Sequence, residues 1–375
     1  MAGIYIHIPF CKQKCYYCNF YALASAKYRD VFTNALLKEM KWRAGYIQNE
    51  EVKTIYFGGG TPSLLPVKEI QQIIETAHQL FKISNNVEIT LEANPDDINP
   101  QYLKKLKDYT GINRISLGIQ SFFDEDLKYL YRVHSGKAAR KSIESLLAAG
   151  YNNMNIDLIY GIPTLDDNHW EKNLEIFYQY KLPHLSSYAL TVEHKTALQV
   201  LIDKNKLQNT DEDQIIRQFD LLLKSSAEHG YVHYEISNFA LPGYYSKHNS
   251  TYWMGGYYLG LGPSAHSFNG VSRQWNVKNM KQYVESQQVE KIILEKEILT
   301  KEQQYNEYVM TSLRTSWGCD TVHILNGFGE KFVQHFQQNI QPFIDQKKVE
   351  QKGTIYFLTN FGKRFADGIA GTLFL

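Results

Sequence analysis

The sequence predicts an α/β protein: an incomplete (β/α)6 TIM-like barrel, additional strands C-terminal to it, and a small helical, winged-helix-like domain at the end. Three observations predict this. Short β-branched runs alternate with helical stretches over the first 200 residues. Those runs alternate apolar with polar residues, whereas parallel strands covered on both faces read as unbroken apolar runs. Beyond residue 200 the rhythm gives way to glycine-rich strand-and-loop sequence, then to helices and a hairpin. The expected organisation is 1–200 for the barrel, 201–295 for a barrel-closing extension and 296–375 for the C-terminal domain.

The strands come in order as 4–8, 54–57, 87–92, 114–120, 154–159 and 185–190. Helices are expected over 27–45, 66–80, 100–109, 137–149 and 169–180, which is the spacing of repeated βα units. Ile4, Ile6 and Ile8 share one strand face and Tyr5 and His7 the other. The same split sets Val87, Ile89 and Leu91 against Glu88, Thr90 and Glu92. It sets Ile115, Leu117 and Ile119 against Ser116, Gly118 and Gln120, and Met154, Ile156 and Leu158 against Asn153, Asn155 and Asp157. A complete eight-stranded barrel fills its interior with apolar side chains. Six strands with a polar inner face fit an open barrel around a ligand, with its site at the C-terminal strand ends.

A helix is expected over 211–229 and a strand over 231–236. The glycine-rich stretch 247–267 reads as strands and loops closing one side of the barrel. A helix over 301–313, helical pieces over 332–337 and 340–346, a hairpin over 349–358 turning at Gly353, and a final helix over 360–369 complete the chain.

The chain has 375 residues, a net charge of +1, 43% hydrophobic and 21% charged residues. That balance is ordinary for a globular protein and gives no field that would draw nucleic acid. The cluster Lys104-Lys105-Leu106-Lys107 reads as a solvated helix face. No apolar run approaches the roughly 18–20 residues needed to span a bilayer. Nothing at the start reads as a secretory signal, so a cytoplasmic protein, peripheral to a membrane at most, is expected.

Three of the four cysteines fall within eight positions, as Cys11-x3-Cys15-x2-Cys18, directly after the first strand. Three clustered cysteines do not make a disulfide framework in a chain this long. As thiolates they could hold zinc or an iron–sulfur cluster. A structural zinc site needs four ligands, and the remaining Cys319 is some 300 residues away. A [4Fe–4S] cluster takes four cysteines, so three leave one iron open to a ligand. After the second strand comes Gly58-Gly59-Gly60-Thr61-Pro62-Ser63, whose glycines permit close backbone approach.

Cys11-x3-Cys15-x2-Cys18 resembles the signature of the radical S-adenosylmethionine (radical SAM) superfamily, and Gly58–Ser63 its methionine-binding run. Tyr5–Cys11, Glu92-Ala93-Asn94-Pro95, Leu117–Ser121 and Asp157–Pro163 are similar to the oxygen-independent coproporphyrinogen III oxidase group within it. The resemblance implies a [4Fe–4S] cluster on Cys11, Cys15 and Cys18, with SAM on its open iron. It implies that Tyr5, Gly59, Thr61, Glu92, Gln120, Arg132 and Asp157 contact SAM, Gly60 belonging to the same glycine run.

Two features depart from the oxidases. Phe20 stands where they carry a further cysteine, and only ten residues precede Cys11. Together with His248-Asn249-x2-Tyr252-Trp253 they resemble the haem chaperone branch of the group. That branch implies haem as cargo, delivery to recipient haem proteins including membrane respiratory enzymes, a reducing partner, and no coproporphyrinogen oxidase activity. A neutral imidazole ligates haem iron, which makes His248 a candidate ligand beside Tyr252 and Trp253. The alternatives are oxidative decarboxylation of coproporphyrinogen III and radical SAM chemistry on an unrelated substrate.

Overall fold

The structure, a computed structural model, describes residues 2–25, 27–288 and 293–375. Strands β1 (Ala2–Ile8), β2 (Val52–Gly59), β3 (Ile83–Ala93), β4 (Arg114–Gln120), β5 (Met154–Tyr160) and β6 (His184–Ala189) lie side by side in sequence order, all parallel. Helices α1 (Arg29–Trp42), α2 (Val67–Leu80), α3 (Pro100–Tyr109), α4 (Asp124–Tyr129), α5 (Gly136–Ala148) and α6 (Asp167–Gln179) fall between them. This is the expected open barrel. The short α4, with Asp124, Glu125 and Asp126 in its first turn, is an addition that periodicity over six residues does not register.

Alternation along the strands decides which side chains meet the helices. Ile4, Ile6, Ile55, Phe57, Ile89, Leu91, Ile115, Leu117, Ile156 and Leu158 are buried in one continuous apolar core beneath the helices. Each such side chain contributes about 1.5–3 kcal/mol by leaving water. The opposite faces turn Tyr5, Glu92, Ser116, Gln120, Asn155 and Asp157 into the lumen, where burial is accompanied by hydrogen bonding.

Two further helices, α7 (Ala197–Asp203) and α8 (Glu212–Glu228), follow β6. Strands β7 (Val232–Glu235) and β8 (Asn238–Ala240) then extend the sheet antiparallel beside β6. On the other edge β9 (Tyr257–Leu261) joins β1 in parallel, followed outward by antiparallel β10 (His266–Phe268), β11 (Ser272–Asn276) and β12 (Leu294–Ile298). A buried ion pair seats this edge on α1: Arg43 Nη1 lies 3.1 Å from Glu39 Oε1. Arg43 also donates to Gly260 O and Ser267 Oγ, and Glu39 accepts from Gly262 N, Asn276 Nδ2 and Tyr283 OH.

The expected strand-and-loop character of 247–267 holds only for its second half. Lys247–Trp253 is a helix, α9. Its seven residues contain no glycine, Ser246 caps it by accepting from Asn249 N, and it stops where Gly255 takes a φ of +67°. The glycines that suggested irregular structure lie beyond its end.

The C-terminal part has its own apolar core, with Tyr305, Val309, Phe336, Ile340 and Leu373 at its centre. Helices Lys301–Leu313, Thr321–Phe328 and Glu330–Asp345 pack against a three-stranded antiparallel sheet of Cys319–Asp320, Val349–Lys352 and Ile355–Leu358. The hairpin turns at Gly353 (φ +62°), as expected. The two helical pieces expected over 332–346 are one helix that runs through Pro342. The expected last helix divides into a 3-10 turn, Gly362–Phe365, and an α-helix, Ala366–Thr372. Among the described residues no helix is long and apolar enough to cross a membrane.

Candidate functional site

The cysteine loop leaves the C-terminal end of β1 and is tied down on both flanks. Cys11 N donates to Leu23 O, Tyr16 N to Leu130 O, and Leu198 N to Tyr16 O. The loop roofs a cavity of about 570 Å³ at the C-terminal strand ends. Cys11, Cys15, Cys18, Gly59, Gly60, Thr61, Glu92, Gln120, Arg132 and Asp157 all line it. Residues from the β1 loop and from β2 to β5 are thus gathered in one place.

Each wall has a local cause. Gly60 sits so close to the loop that a Cβ there would lie 2.7 Å from Phe10 O, 2.8 Å from Ile8 O and 3.1 Å from Cys11 Sγ. Gly59, at φ +106°, would press a Cβ into the His7 ring. Thr61 Oγ1 is 3.5 Å from Cys11 Sγ and Arg132 Nη1 is 3.4 Å from Cys15 Sγ. Arg132 Nη2 donates to Asn94 Oδ1 and Gly118 O, while its Nε is buried without a partner among the described residues. Gln120 ends β4 at φ +69°, a left-handed conformation rare outside glycine that redirects the strand end.

Glu92 accepts from Tyr56 OH at 2.8 Å and Gly59 N at 3.2 Å. Burial pushes its carboxyl up to about 7, aided by the charge of Asp157. Asp157 accepts from Asn155 Nδ2 at 2.7 Å, and burial raises it to about 6. The cavity floor therefore holds protons that exposed carboxylates release. Burial also raises the Cys11 and Cys18 thiols, so cation binding there releases protons.

The donor set is soft: three free, half-buried thiols share the cavity, the kind of ligand an iron–sulfur cluster takes. Cys319 is fully buried in the C-terminal core and does not take part. The orphaned Arg132 Nε and the tight Gly59–Gly60 cradle suit a polar ligand lying against the strand ends.

Two of the expected residues lie elsewhere. Tyr5 is on the lumen wall, its OH bonded to His7 Nδ1 at 3.1 Å and its ring stacked on Tyr56. It does not line the cavity. His248 sits on α9 at the opposite, N-terminal end of the barrel. Its Nδ1 is 2.8 Å from Thr54 Oγ1, its Nε2 is 2.8 Å from Tyr252 OH, and its ring stacks on Tyr56. Burial lowers its pKa to about 3, so the imidazole is neutral. A neutral ring was the expectation, but both nitrogens are engaged and the ring is 2% exposed, so this conformation does not offer it to haem iron. The sequence gives no warning, because the seat is built by Thr54 and Tyr56, some 190 residues away.

Asn94, Tyr17 and Tyr188 also line the cavity without having been singled out. Asn94, just past the end of β3, bridges Thr61 Oγ1 and Arg132; its place in Glu92-Ala93-Asn94-Pro95 is the available signal. Phe20 is 68% exposed at the cavity edge.

Comparison with known proteins agrees with this arrangement. Residues 5–177 match the radical SAM superfamily and residues 299–365 the HemN C-terminal domain. The chain is 32% identical to heme chaperone HemW of Bacillus subtilis, covering 99% of this chain and 98% of that one. It is 34% identical to heme chaperone HemW of Lactococcus lactis, over 97% and 95%. To the Escherichia coli protein of the same name it is 37% identical, over 70% and 69%. The solved structure of E. coli coproporphyrinogen III oxidase (HemN) superposes with a TM-score of 0.85, 21% identity, and coverage of 99% of this chain and 89% of that one, a shared fold. The chain belongs to the HemW family of heme chaperones within the radical SAM superfamily.

Proposed function

We propose that this protein binds haem and delivers it to haem proteins such as respiratory enzymes, and that it carries a [4Fe–4S] cluster with SAM beside it. The observation that carries the reading is likeness along almost the whole chain to proteins named heme chaperones, joined to three thiols facing one cavity. Cys11, Cys15 and Cys18 would hold the cluster, and Gly59, Gly60, Thr61, Glu92, Gln120, Arg132 and Asp157 would hold SAM. When bound, the pair supplies one-electron reductive cleavage of SAM, which calls for a reducing partner. The chain's own part is positional. Tyr56 fixes the Glu92 carboxylate, Arg132 places a positive charge against Cys15, and the glycines let backbone reach the ligand.

After anaerobic reconstitution about four irons per chain are expected, falling to near zero when Cys11, Cys15 or Cys18 is changed to Ser. Retention of iron by all three variants refutes the cluster. Haem transfer to an apo respiratory haem protein is the functional test. Efficient conversion of coproporphyrinogen III to protoporphyrinogen would instead establish the oxidase reading.

His248 can serve as haem ligand only by leaving the seat that α9 now occupies. A haem titration of His248→Ala with unchanged affinity and Soret spectrum removes it as a ligand. Loss of the spectral change in a variant that keeps its fold supports His248 as the ligand.

A further inference from the structure

Below the cavity, deeper in the lumen, lies a second and much smaller chamber of about 50 Å³. Glu92, Ser116, Asp157 and Tyr188 border both spaces, so they form the partition between them. The lower chamber is closed by Ser246 and Asn249 at the start of α9. Its lining contains no aliphatic side chain.

Two side chains in that lining lack the partners their burial demands. Arg114 is 2% exposed, yet its guanidinium makes one hydrogen bond, Nη1 to Asn153 Oδ1 at 2.6 Å, and no ion pair among the described residues. Glu88 and Asp157 feel its charge without pairing with it. Thr90 Oγ1 is buried with no partner among the described residues. A buried guanidinium with a single hydrogen bond and a buried hydroxyl with none leave polar capacity that folded proteins normally satisfy with protein or water. Both face this chamber. A polar chamber of this volume has room for about three waters.

We propose that the lower chamber is an internal hydration site, in which ordered waters solvate Thr90 and bridge the Arg114 guanidinium to the Asp157 and Glu92 carboxylates at the cavity floor. Arg114 is thereby a positioning residue. It touches nothing in the cavity, but through water it sets the charge of the two carboxylates that do. Dipoles in the chamber are supplied by Asn155, Ser186 and His184. His184 is held neutral by burial, with its ring nitrogens engaged by Asn155 and Tyr234. A small anion is disfavoured because Glu92 and Asp157 share the wall.

The consequence falls on whatever binds above. Glu92 faces Tyr5 from β1, Tyr56 from β2, Asp157 from β5, Tyr188 from β6 and Tyr252 from α9. Asp157 faces Asn155, Ser186, Tyr56, Tyr188 and Tyr17 of the cysteine loop, with Arg132 above and Arg114 below. A cationic ligand over these carboxylates drives off the protons they hold, and bridging waters let Arg114 favour the charged form. If SAM is that ligand, which rests on the function proposed above, its affinity rises with pH through the range of about 6 to 7 where the pair titrates.

The test has two readouts. In a crystal structure of the full chain at a resolution that shows water, ordered waters are expected within hydrogen-bond distance of Thr90 Oγ1 and Arg114. A dry chamber, or a bromide anomalous peak in a bromide-soaked crystal, overturns the proposal. In the second, SAM affinity is measured from pH 5.5 to 8.5 on reconstituted protein. Arg114→Met should move the affinity midpoint upward by about one pH unit, and the uncharged thioether S-adenosylhomocysteine should show a weaker pH dependence. An unmoved midpoint overturns the role of Arg114. If Arg114→Met does not fold, Thr90→Val serves: it should remove one water from the chamber, and an unchanged water structure counts against the site. Failure of SAM to bind at any pH rejects the cofactor reading, whereas the crystallographic waters are judged independently of it.

Discussion

Glu92 and Asp157 are where single residues do most to set the behaviour of the barrel. In the folded chain Glu92 holds its proton up to about 7 and Asp157 up to about 6, against ordinary values of 4.5 and 3.8. The folded state therefore binds protons that the unfolded state has released. Unfolding gives them up, so stability falls as pH rises from about 4 to about 7 and levels off above. Thermal unfolding of the cluster-free chain at a series of pH values should show this decline, and Glu92→Gln should flatten its upper part; a profile rising over that window contradicts the assignment. Gly60 makes a different point. A methyl group there collides with two backbone carbonyls and with Cys11 Sγ. Gly60→Ala is expected to destabilise the chain by about 1–3 kcal/mol and to lose most of its bound iron, while Gly45→Ala, in open space, should lose none.

At the scale of elements, the six barrel strands were readable because each carries its own instructions. The alternation of Ile4, Ile6 and Ile8 with Tyr5 and His7 contains both the strand and the direction of its two faces. Helix α3, bounded by Asn99-Pro100 and followed by Thr110-Gly111, was readable for the same reason, since its cap and breaker are local. Helix α9 was not. Its seven residues are too few for a period, and what holds it is remote: the Glu88 carboxylate accepts from Lys247 N and His248 N, and Thr54 bonds the His248 ring. The cavity members fared likewise. Glu92 and Asp157 stood out as polar groups on barrel strands, but Tyr188 gained its place only through how the sheet curls. Ser246→Ala, which removes the α9 cap, is expected to cost about 1 kcal/mol and to speed amide hydrogen exchange over 247–253 while leaving β4 and β5 protected. Uniform acceleration across the barrel would show that α9 is not a separately opening element.

At the scale of the molecule, two apolar cores are joined by aromatic packing of Tyr234 and Tyr245 on Trp317 and by polar contacts. Arg364 pairs with Asp220, Lys363 Nζ bonds His233 Nδ1, and the Arg314 guanidinium lies over the Trp253 ring at the end of α9. Helix α9 thus touches the C-terminal part through Trp253. The other edge of the barrel depends on Arg43 and Glu39. Arg43→Ala leaves Glu39 buried without its cation and should destabilise the chain by about 3–5 kcal/mol, measured by urea unfolding; a loss below 1 kcal/mol would mean that the β9–β11 edge does not rely on this pair. That edge also bears on how the protein is made. Strand β1, from which the cysteine loop leaves, is synthesised well before one of its two neighbours, β9, which begins at Tyr257. At roughly 5–20 residues per second, the ribosome needs on the order of 10–50 s to supply the missing partner. Throughout that interval the thiols follow a half-paired strand, so the cluster proposed above is expected to load after β9 has been made rather than before.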